Sequence, residues 1–432
     1  MKIVMFTPAV QVSAIGRMAC LLTAALQAAG HTISIVRAET EQLLHETTHD
    51  FGAELVAWTE LARVRELLAA ADLVVHQVGD NHQFHQGCLE WLNEAPGIIC
   101  LHDYFVGHLF CGWAQHRREE ACTILEKWYG SDAAASFFQH PDSESFIEGT
   151  HRSAPMTEWI CAMGSAVITH SSWGIARVLD ACPGPVRVVA LPYSAPAAPV
   201  RHAASRDGML RVLTVGHVNP NKRVASVIRA IGGSETLRAV TVYRLVGAIA
   251  PAVVVALSTL ARNSQVNLLI SDQVEAPTLI SALDEADVVV CLRLPSLEAA
   301  SASAIEALLY GKPVIVTDTN FYSEIPDDCV VKINPEDEVG ALQRALAQLH
   351  ADPVLRATLG ERGQRWAQAT FSADKYAAQL VAVGADAAHA RPVQQAMNAL
   401  ARTLGSWGGS SDMLGGAHTL LPLALFNNSN PD

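Results

Sequence analysis

The sequence predicts an α/β protein of two doubly wound parallel domains that face each other across a cleft. Three observations support this fold class. The chain has 432 residues, which exceeds the roughly 250–300 residues at which single cores stop growing. Half of the residues are hydrophobic while only 6% are aromatic, a composition typical of buried parallel sheets. Short apolar runs alternate with helix-compatible segments along both halves, as in successive βαβ units.

The first half begins with such a unit. Residues 2–6, KIVMF, form an apolar strand, a loop ends near Gly16, a helix runs from about Arg17 to Ala29, and TISIVRA follows as the second strand. Further strands are expected at ADLVVHQV, GIICLHD, AVITHS and VRVVALP. We therefore assign residues 1–195 to an N-terminal Rossmann-like domain.

A composition change separates the halves. The segment PYSAPAAPVRHAASRDG is rich in Pro, Ala and Ser, and we assign residues 196–208 to a linker. Strands at LRVLTVG, VTVYRLVG, VNLLIS, ADVVVCL and KPVIVTD place a second Rossmann-like domain at residues 209–371. Residues 372–432 are a helix and a low-complexity tail. Since ligands of such sheets bind outside the strand carboxyl ends, the tandem arrangement predicts a ligand site between the domains.

Charge and cysteine usage exclude several classes of protein. The net charge of −13 argues against nucleic acid as a partner. The nine cysteines form no C-x-x-C pair, which favours reduced thiols in the cytoplasm. His82, His85 and Cys88 match no complete metal-ligand set, so we expect no metal. The first loop contains no G-x-G-x-x-G, so no dinucleotide cofactor is expected. No apolar run reaches the length of a transmembrane helix.

The loop VGHVNPNKRV, residues 215–224, is a candidate anion site. It follows a strand and precedes a helix, with Lys222 and Arg223 at the helix start. Helix amides and two cations suit a phosphate group. The alternative is a solvated helix start, but cations at a helix N-terminus oppose the helix dipole.

The stretch LPSLEAASASAIEALLYG contains two glutamates, Glu298 and Glu306. Ser303 and Glu306 fit a capping box, the structural explanation for Glu306. That explanation leaves Glu298 unexplained, in a loop at a strand carboxyl end. The small residues 299–302, which include Ser301 and Ala302, let a ligand approach the backbone amides. Carboxylates on each side of a bound diphosphate suit the hydroxyls of a sugar and of a ribose.

Two segments of the first half end strands near the same cleft, GDNHQFH (residues 79–85) and LHDYFVGH (residues 101–108). His102 and Asp103 are candidates to orient or deprotonate an acceptor hydroxyl. Chance placement is the alternative, because the chain has 17 histidines.

These residues resemble family 4 of the retaining glycosyltransferases, which have the GT-B fold of two facing Rossmann domains. Glu298 and Glu306 match the E-x7-E motif, VGHVNPNKR resembles the phosphate-binding loop, and NFYSEIP has a counterpart in the family's PxxxEI. The likeness is most specific between residues 212 and 326. Two positions depart from the family: His217 stands where an arginine is usual, and EAAS replaces EGFG.

The resemblance implies that residues 1–195 bind the acceptor and residues 209–371 the donor. It also implies roles for individual residues. Glu298 is expected to hold donor-sugar hydroxyls near the reacting carbon, and His102 to line the acceptor side as the second catalytic candidate. His85 and Asp103 are placed on the acceptor side. The residues expected to bind the donor are Gly16, Lys222, Arg223, Ser301, Ala302 and Glu306, with Lys222 and Arg223 at the diphosphate and Glu306 at the ribose.

The expected activity is that of a metal-independent, retaining glycosyltransferase of hexosyltransferase type with no cofactor, since the nucleotide sugar is a substrate. The acceptor is a carbohydrate or a lipid-linked molecule, in surface polysaccharide or glycoconjugate synthesis. The predicted location is the cytoplasm, with a peripheral position at the inner membrane face left open. Two alternatives remain: a sugar-nucleotide-binding protein with weak catalysis, and a GT-B-fold epimerase or phosphorylase.

Overall fold

The computed structural model describes residues 1–194, 208–271 and 276–408. Within these ranges the chain forms two separate parallel sheets, one of seven strands and one of six. This architecture confirms the predicted α/β fold class. The segment assigned as a linker, except Gly208, and the tail beyond residue 408 lie outside the described residues.

The first sheet has the strand order β3-β2-β1-β4-β5-β6-β7. Its strands are β1 (Lys2–Thr7), β2 (Thr32–Arg37), β3 (Glu54–Ala57), β4 (Leu73–Val78), β5 (Ile98–Leu101), β6 (Ala166–Thr169) and β7 (Val186–Val188). The sequence did not predict β3. It is an edge strand of four residues, two of them exposed, so it lacks the apolar run that marks the central strands.

Helices cover both faces of this sheet. They are α1 (Ala14–Ala28), α2 (Leu61–Ala70), α3 (His82–Leu92), α4 (Gly107–Trp113), α5 (Arg118–Tyr129), α6 (Ser131–Ser136), α7 (Ser143–Thr150), α8 (Thr157–Cys161) and α9 (Ile175–Ala181). Successive residues of β1 enter opposite cores, with Met5 in one and Phe6 in the other, as the period of a strand requires. Alpha-helix α1 starts three residues earlier than predicted because Ser13 caps it by accepting from the Gly16 amide at 3.1 Å.

The second sheet has the order β10-β9-β8-β11-β12-β13. Its strands are β8 (Leu210–Val215), β9 (Thr241–Val246), β10 (Asn267–Ser271), β11 (Val288–Cys291), β12 (Val314–Thr317) and β13 (Val331–Ile333). The strand of this sheet that the sequence did not predict is β13, which is again an edge strand. It has only three residues.

Eight helices in the described part of the second half pack around this sheet. They are α10 (Val224–Gly232), α11 (Glu235–Val240), α12 (Pro251–Asn263), α13 (Ala276–Glu285), α14 (Ala302–Leu309), α15 (Asn320–Ser323), α16 (Glu338–Ala351) and α17 (Pro353–Thr370). The next helix, α18 (Ala373–Ser406), returns to the first sheet. Its Tyr376 and Leu380 are buried in the core that contains Met5.

The strand order of each sheet reverses direction at one point, between β1 and β4 in the first and between β8 and β11 in the second. Ligands of open α/β sheets bind at the strand carboxyl ends beside such a switch point. The loops after β1, β4, β8 and β11 are therefore the places to look for a site.

Candidate active site

The cleft brings the loop after β11 into contact with the residues that follow β5. The Ala299 amide donates to the His102 carbonyl at 2.8 Å, and Asp103 and Glu298 form an isolated antiparallel bridge. The motifs LHDYFVGH and LEAAS, almost 200 residues apart in sequence, therefore touch through their backbones.

Glu298 is held by an ion pair that the sequence did not reveal. Its Oε1 accepts from Arg293 Nε at 2.7 Å and from the Tyr322 hydroxyl at 3.0 Å, and its Oε2 accepts from the Leu297 amide at 3.3 Å. Burial opposes ionisation, but the charge of Arg293 and these hydrogen bonds outweigh it and lower the pKa of Glu298. The carboxylate is thus charged, and Oε2 keeps the greater capacity for another hydrogen bond.

Lys222 lies at the carboxyl end of β8. It is 6% exposed and its Nζ donates to the Val215 carbonyl. Gly216 leaves room for this side chain, because a Cβ on Gly216 would lie 2.7 Å from Lys222 Nζ. The φ of Gly216, +94°, also favours glycine. Burial, with repulsion from Arg293, lowers the pKa of Lys222 to about 7. A buried lysine with this pKa would regain its proton beside an anion.

Arg223 occupies the left-handed region, with φ 55° and ψ 30°, as the N-cap of α10. Its Nε donates to both carboxylate oxygens of the buried Glu338, at 3.0 and 3.1 Å. Lys222 and Arg223 are therefore adjacent in sequence but differ in environment. Only the terminal nitrogens of Arg223 remain for a diphosphate.

The capping box predicted for Ser303 and Glu306 is wrong, because α14 starts earlier than that hypothesis requires. Ser301, not Ser303, is the N-cap, and its hydroxyl accepts from the Ala304 amide at 3.3 Å. Glu306 is then five positions past the cap, too far along to complete a capping box. In the described structure the backbone amides of residues 300–303 have no hydrogen-bond acceptor. With Ala302 as the first helical residue, these amides lie at the N-terminus of α14, where an anion cradle stays a prediction.

Glu306 instead faces the first domain. Its Oε1 lies 3.4 Å from Arg17 Nη1, and the side chains are 17% and 45% exposed. Arg17 follows Gly16 in α1, where a Cβ on Gly16 would lie 2.6 Å from the Pro8 carbonyl. The structure thus brings Gly16 and Glu306, both predicted to bind the donor, to the same part of the cleft.

The histidines predicted on the acceptor side are buried. His102 Nε2 pairs with Gln77 Oε1 at 2.7 Å, and its ring centroid is 4.7 Å from that of His170. Burial and the neighbouring histidines hold the pKa of His102 well below its usual range, which makes it a poor base at neutral pH. His85 is 1% exposed and its Nδ1 pairs with the Gln77 carbonyl at 2.9 Å. At this exposure His85 is not accessible for direct contact with an acceptor.

A second carboxylate and a histidine from the same two segments were missed. Asp80 Oδ2 lies 2.5 Å from His108 Nδ1, and His108 Nε2 lies 3.0 Å from the Ser143 hydroxyl. The Asp80 amide donates to Asp103 Oδ2 at 2.8 Å. Burial, with repulsion from Asp80, raises the pKa of Asp103 to about 7. The partly exposed His108 is therefore better placed than His102 to exchange protons at neutral pH.

Within the described ranges, no three His, Cys, Asp or Glu side chains are grouped to hold a metal. The helices described there also lack the combination of length and hydrophobicity that crossing a membrane requires. A cavity of about 500 Å³ beside α18 lies at Leu73, Gly97 and Ser165, where strands β4, β5 and β6 begin. It is at the opposite edge of the first sheet from the cleft and is not the candidate site.

Comparisons with known proteins agree with this geometry. Residues 201–366 match the family model described as glycosyl transferases group 1. Among solved structures, sucrose-phosphate synthase from Thermosynechococcus elongatus is 18% identical with a TM-score of 0.61, covering 89% of this chain and 98% of that chain. The fold is GT-B. HepE from Anabaena, solved with UDP and glucose, is 15% identical with a TM-score of 0.57, covering 88% and 98%.

A third GT-B structure is WaaG, a glycosyltransferase involved in lipopolysaccharide biosynthesis, at 15% identity and a TM-score of 0.55, covering 89% of this chain and 99% of that one. No curated protein sequence matches the chain. The resemblance drawn from the motifs is thus confirmed at the level of the GT-B fold and of the family model. The matched range contains Lys222, Glu298 and Glu306 but not His102 or Asp103.

Proposed function

We propose that this protein transfers a hexosyl group from a nucleoside diphosphate sugar to an acceptor hydroxyl, with retention at the anomeric carbon and without a metal ion. The observation that carries the proposal is Lys222, buried at the end of β8 at the switch point of the second sheet. Burying a cation costs free energy unless a partner compensates it. A diphosphate on the amides of residues 300–303 is such a partner.

The chemistry follows from the leaving group. As the bond from the anomeric carbon to the diphosphate oxygen breaks, the electron pair stays on that oxygen, and Lys222 and the α14 amides stabilise the charge. The acceptor oxygen attacks from the same face, and its proton passes to the departing diphosphate. Glu298 Oε2 accepts a hydrogen bond from a donor-sugar hydroxyl, and Glu306 accepts one from the ribose.

The identity of the donor is proposed from the relatives. HepE has been solved with UDP and with UDP-glucose, and UDP-glucose is accordingly the first donor to test. The involvement of WaaG in lipopolysaccharide biosynthesis supports an acceptor in surface polysaccharide or glycoconjugate synthesis.

One observation favours the second candidate, a sugar-nucleotide-binding protein without transfer activity. Arg293 and Tyr322 already occupy Glu298 Oε1, so the carboxylate is less available to a sugar. The two functions differ in turnover. An enzyme hydrolyses its bound donor slowly when no acceptor is present, whereas a binding protein returns it intact.

The proposal is tested first by a thermal-shift panel of UDP, GDP, ADP and dTDP, each with and without a sugar. We expect one of the four nucleotides to raise the melting temperature clearly more than the other three, because a ligand that binds the folded state stabilises that state. Equal shifts from all four, or no shift, would oppose a specific nucleotide-sugar site.

Glu306→Gln is expected to weaken binding of the selected nucleoside diphosphate by about five- to tenfold. Glutamine keeps an acceptor oxygen, so the loss is the difference between a hydrogen bond to a charged group, roughly 1.5–3 kcal/mol, and a neutral one, roughly 0.5–1.5 kcal/mol. The melting temperature should change little, because exposed ion pairs such as that with Arg17 are worth about 0–1 kcal/mol. Isothermal titration and calorimetry measure the two quantities. Glu361→Gln, at an exposed glutamate of α17, is the matched control. A variant that melts lower but binds normally would restrict Glu306 to a structural role.

Binding of the nucleoside diphosphate should take up a proton near pH 8.5. In the protein without ligand, Lys222 has a pKa of about 7 and is mostly neutral at pH 8.5. The bound diphosphate raises that pKa again. Affinity therefore falls as pH rises above 7, by up to about tenfold per unit. The phosphate itself, with a second pKa near 6, does not titrate in this range.

Isothermal titration at pH 8.5 in buffers of different ionisation enthalpy counts the protons taken up. Lys222→Met should show no uptake, while Lys332→Met, a lysine paired with Asp327, should behave as wild type. Equal uptake in wild type and Lys222→Met would assign the proton to another group.

A further inference from the structure

A cavity of about 250 Å³ lies between the domains beside the Glu298 loop. The first domain contributes Tyr104, which follows Asp103, together with His151, Arg152 and Trp173. The second domain contributes residues 294–296, which precede Glu298, and residues 319–320. The cavity therefore adjoins the proposed site of transfer and is lined by both domains.

Two aromatic rings form one wall. The centroids of Tyr104 and Trp173 are 4.3 Å apart, and the planes are inclined by 52°. Gly174 makes this approach possible, because a Cβ there would lie 2.1 Å from Tyr104 Cε2. Trp173 is only partly buried. A partly exposed indole beside a second ring offers an apolar surface whose edge is accessible to solvent. Such a surface suits the C–H face of a sugar.

The second domain fixes this wall in place. Glu324 Oε1 accepts from the amides of Ser172 and Trp173, at 2.8 and 3.1 Å, and from the Ser172 hydroxyl at 2.7 Å. The carboxylate thus holds the loop that carries Trp173. A wall that is ordered beforehand loses less entropy when a ligand binds.

The lining of the cavity also includes a polar side chain, that of Ser296. Ser296 is 3% exposed, yet its hydroxyl has no hydrogen-bond partner among the described residues. Buried hydroxyls are normally paired, so this one has free hydrogen-bonding capacity next to the cavity. His151 and Arg152 add basic groups, and none of the described residues that line the cavity carries a carboxylate.

We propose that this cavity binds one sugar unit of the acceptor, with its apolar face on Trp173 and one hydroxyl on Ser296. The inference rests on the proposed transfer function and adds the acceptor class: a neutral or acidic carbohydrate, since Arg152 disfavours an amino sugar. The volume is below the roughly 300–1,000 Å³ of clefts for drug-sized ligands, so it suits a single unit rather than an oligosaccharide.

The test titrates methyl glucoside, methyl galactoside, methyl mannoside and glucuronate into protein saturated with the selected nucleoside diphosphate, with Kd measured by NMR. At least one sugar should bind wild type. Trp173→Ala should weaken it at least tenfold, Trp173→Phe less, and Ser296→Ala several-fold. Trp407→Ala removes an exposed tryptophan that is 77% accessible and should leave sugar binding unchanged.

Binding of the nucleoside diphosphate is measured in every variant and should stay at the wild-type level. If no sugar binds wild type, or if Trp173→Ala and Trp173→Phe both bind it normally, the acceptor assignment is wrong while the proposed function stands. If wild type binds no nucleoside diphosphate, it is the proposed function that fails.

Discussion

Arg293→Met is expected to destabilise the second domain by about 3–5 kcal/mol, the usual cost of removing one partner of a buried ion pair. The substitution leaves the Glu298 carboxylate charged in a site where both side chains of the pair are at least 82% covered: their exposures are 10% for Arg293 and 18% for Glu298. Calorimetry should show a melting temperature lower by roughly 6–20 °C, at about 2–4 °C per kcal/mol for a domain of this size.

Two further variants isolate the cause. Arg293→Met combined with Glu298→Gln should recover part of the loss, because the uncompensated charge is gone. Arg229→Met, at an exposed arginine of α10, should melt close to wild type. A single Arg293→Met variant that melted within about 2 °C of wild type, less than roughly 1 kcal/mol, would show that the pair does not hold the Glu298 loop.

Lys222→Met is expected to act in opposite directions on binding and on stability. Affinity for the nucleoside diphosphate should fall by about ten- to a hundredfold, since a hydrogen bond to a charged group contributes roughly 1.5–3 kcal/mol. The melting temperature of the free protein should rise, because a buried cation is replaced by an apolar side chain of similar length. Few structural residues would give this combination.

The stability gain should depend on pH. The pKa of Lys222 is lowered from 10.5 to about 7 on folding, so the unfolded chain binds more protons between these values and wild-type stability rises with pH there. The gain from Lys222→Met is therefore largest below pH 7 and fades toward pH 10.5. Calorimetry at pH 6 and pH 9 measures it. A variant that is less stable than wild type at pH 6 and binds the diphosphate normally would contradict the assignment of Lys222 to the donor site.

The sequence contained most of the fold because central strands are apolar on both faces. Runs such as ADVVVCL leave little choice of structure, and the strands predicted from them are present. Both missed strands, β3 and β13, are short and lie at sheet edges. There the burial that makes a strand visible in a sequence is incomplete.

Less of the candidate site was available from the sequence. Glu298 and Lys222 are at strand ends, which the alternation of strands and helices reveals. Their partners depend on tertiary contacts: Tyr322 reaches Glu298 across 24 residues. Arg293 lies two residues beyond β11. In the sequence it looks like an exposed charge after an apolar run, although it is buried.

The capping box assigned to Glu306 was wrong for a local reason. Two serines, Ser301 and Ser303, are each compatible with an N-cap, and the choice between them moves the helix start by two residues. The capping box follows from one choice and disappears with the other. The actual neighbour of Glu306 is Arg17, which is 289 residues away in the sequence. No local sequence pattern indicates this contact.

The central claim is that the chain transfers a glycosyl group with retention, and water can serve as the acceptor in its most direct test. The nucleotide sugar selected by the thermal-shift panel is incubated with the protein alone and followed by proton NMR before mutarotation. The account predicts slow release of the nucleoside diphosphate and a first-formed free sugar with the anomeric configuration of the donor. A bound donor that stays intact would indicate a binding protein, and a first-formed sugar of the opposite configuration would contradict retention.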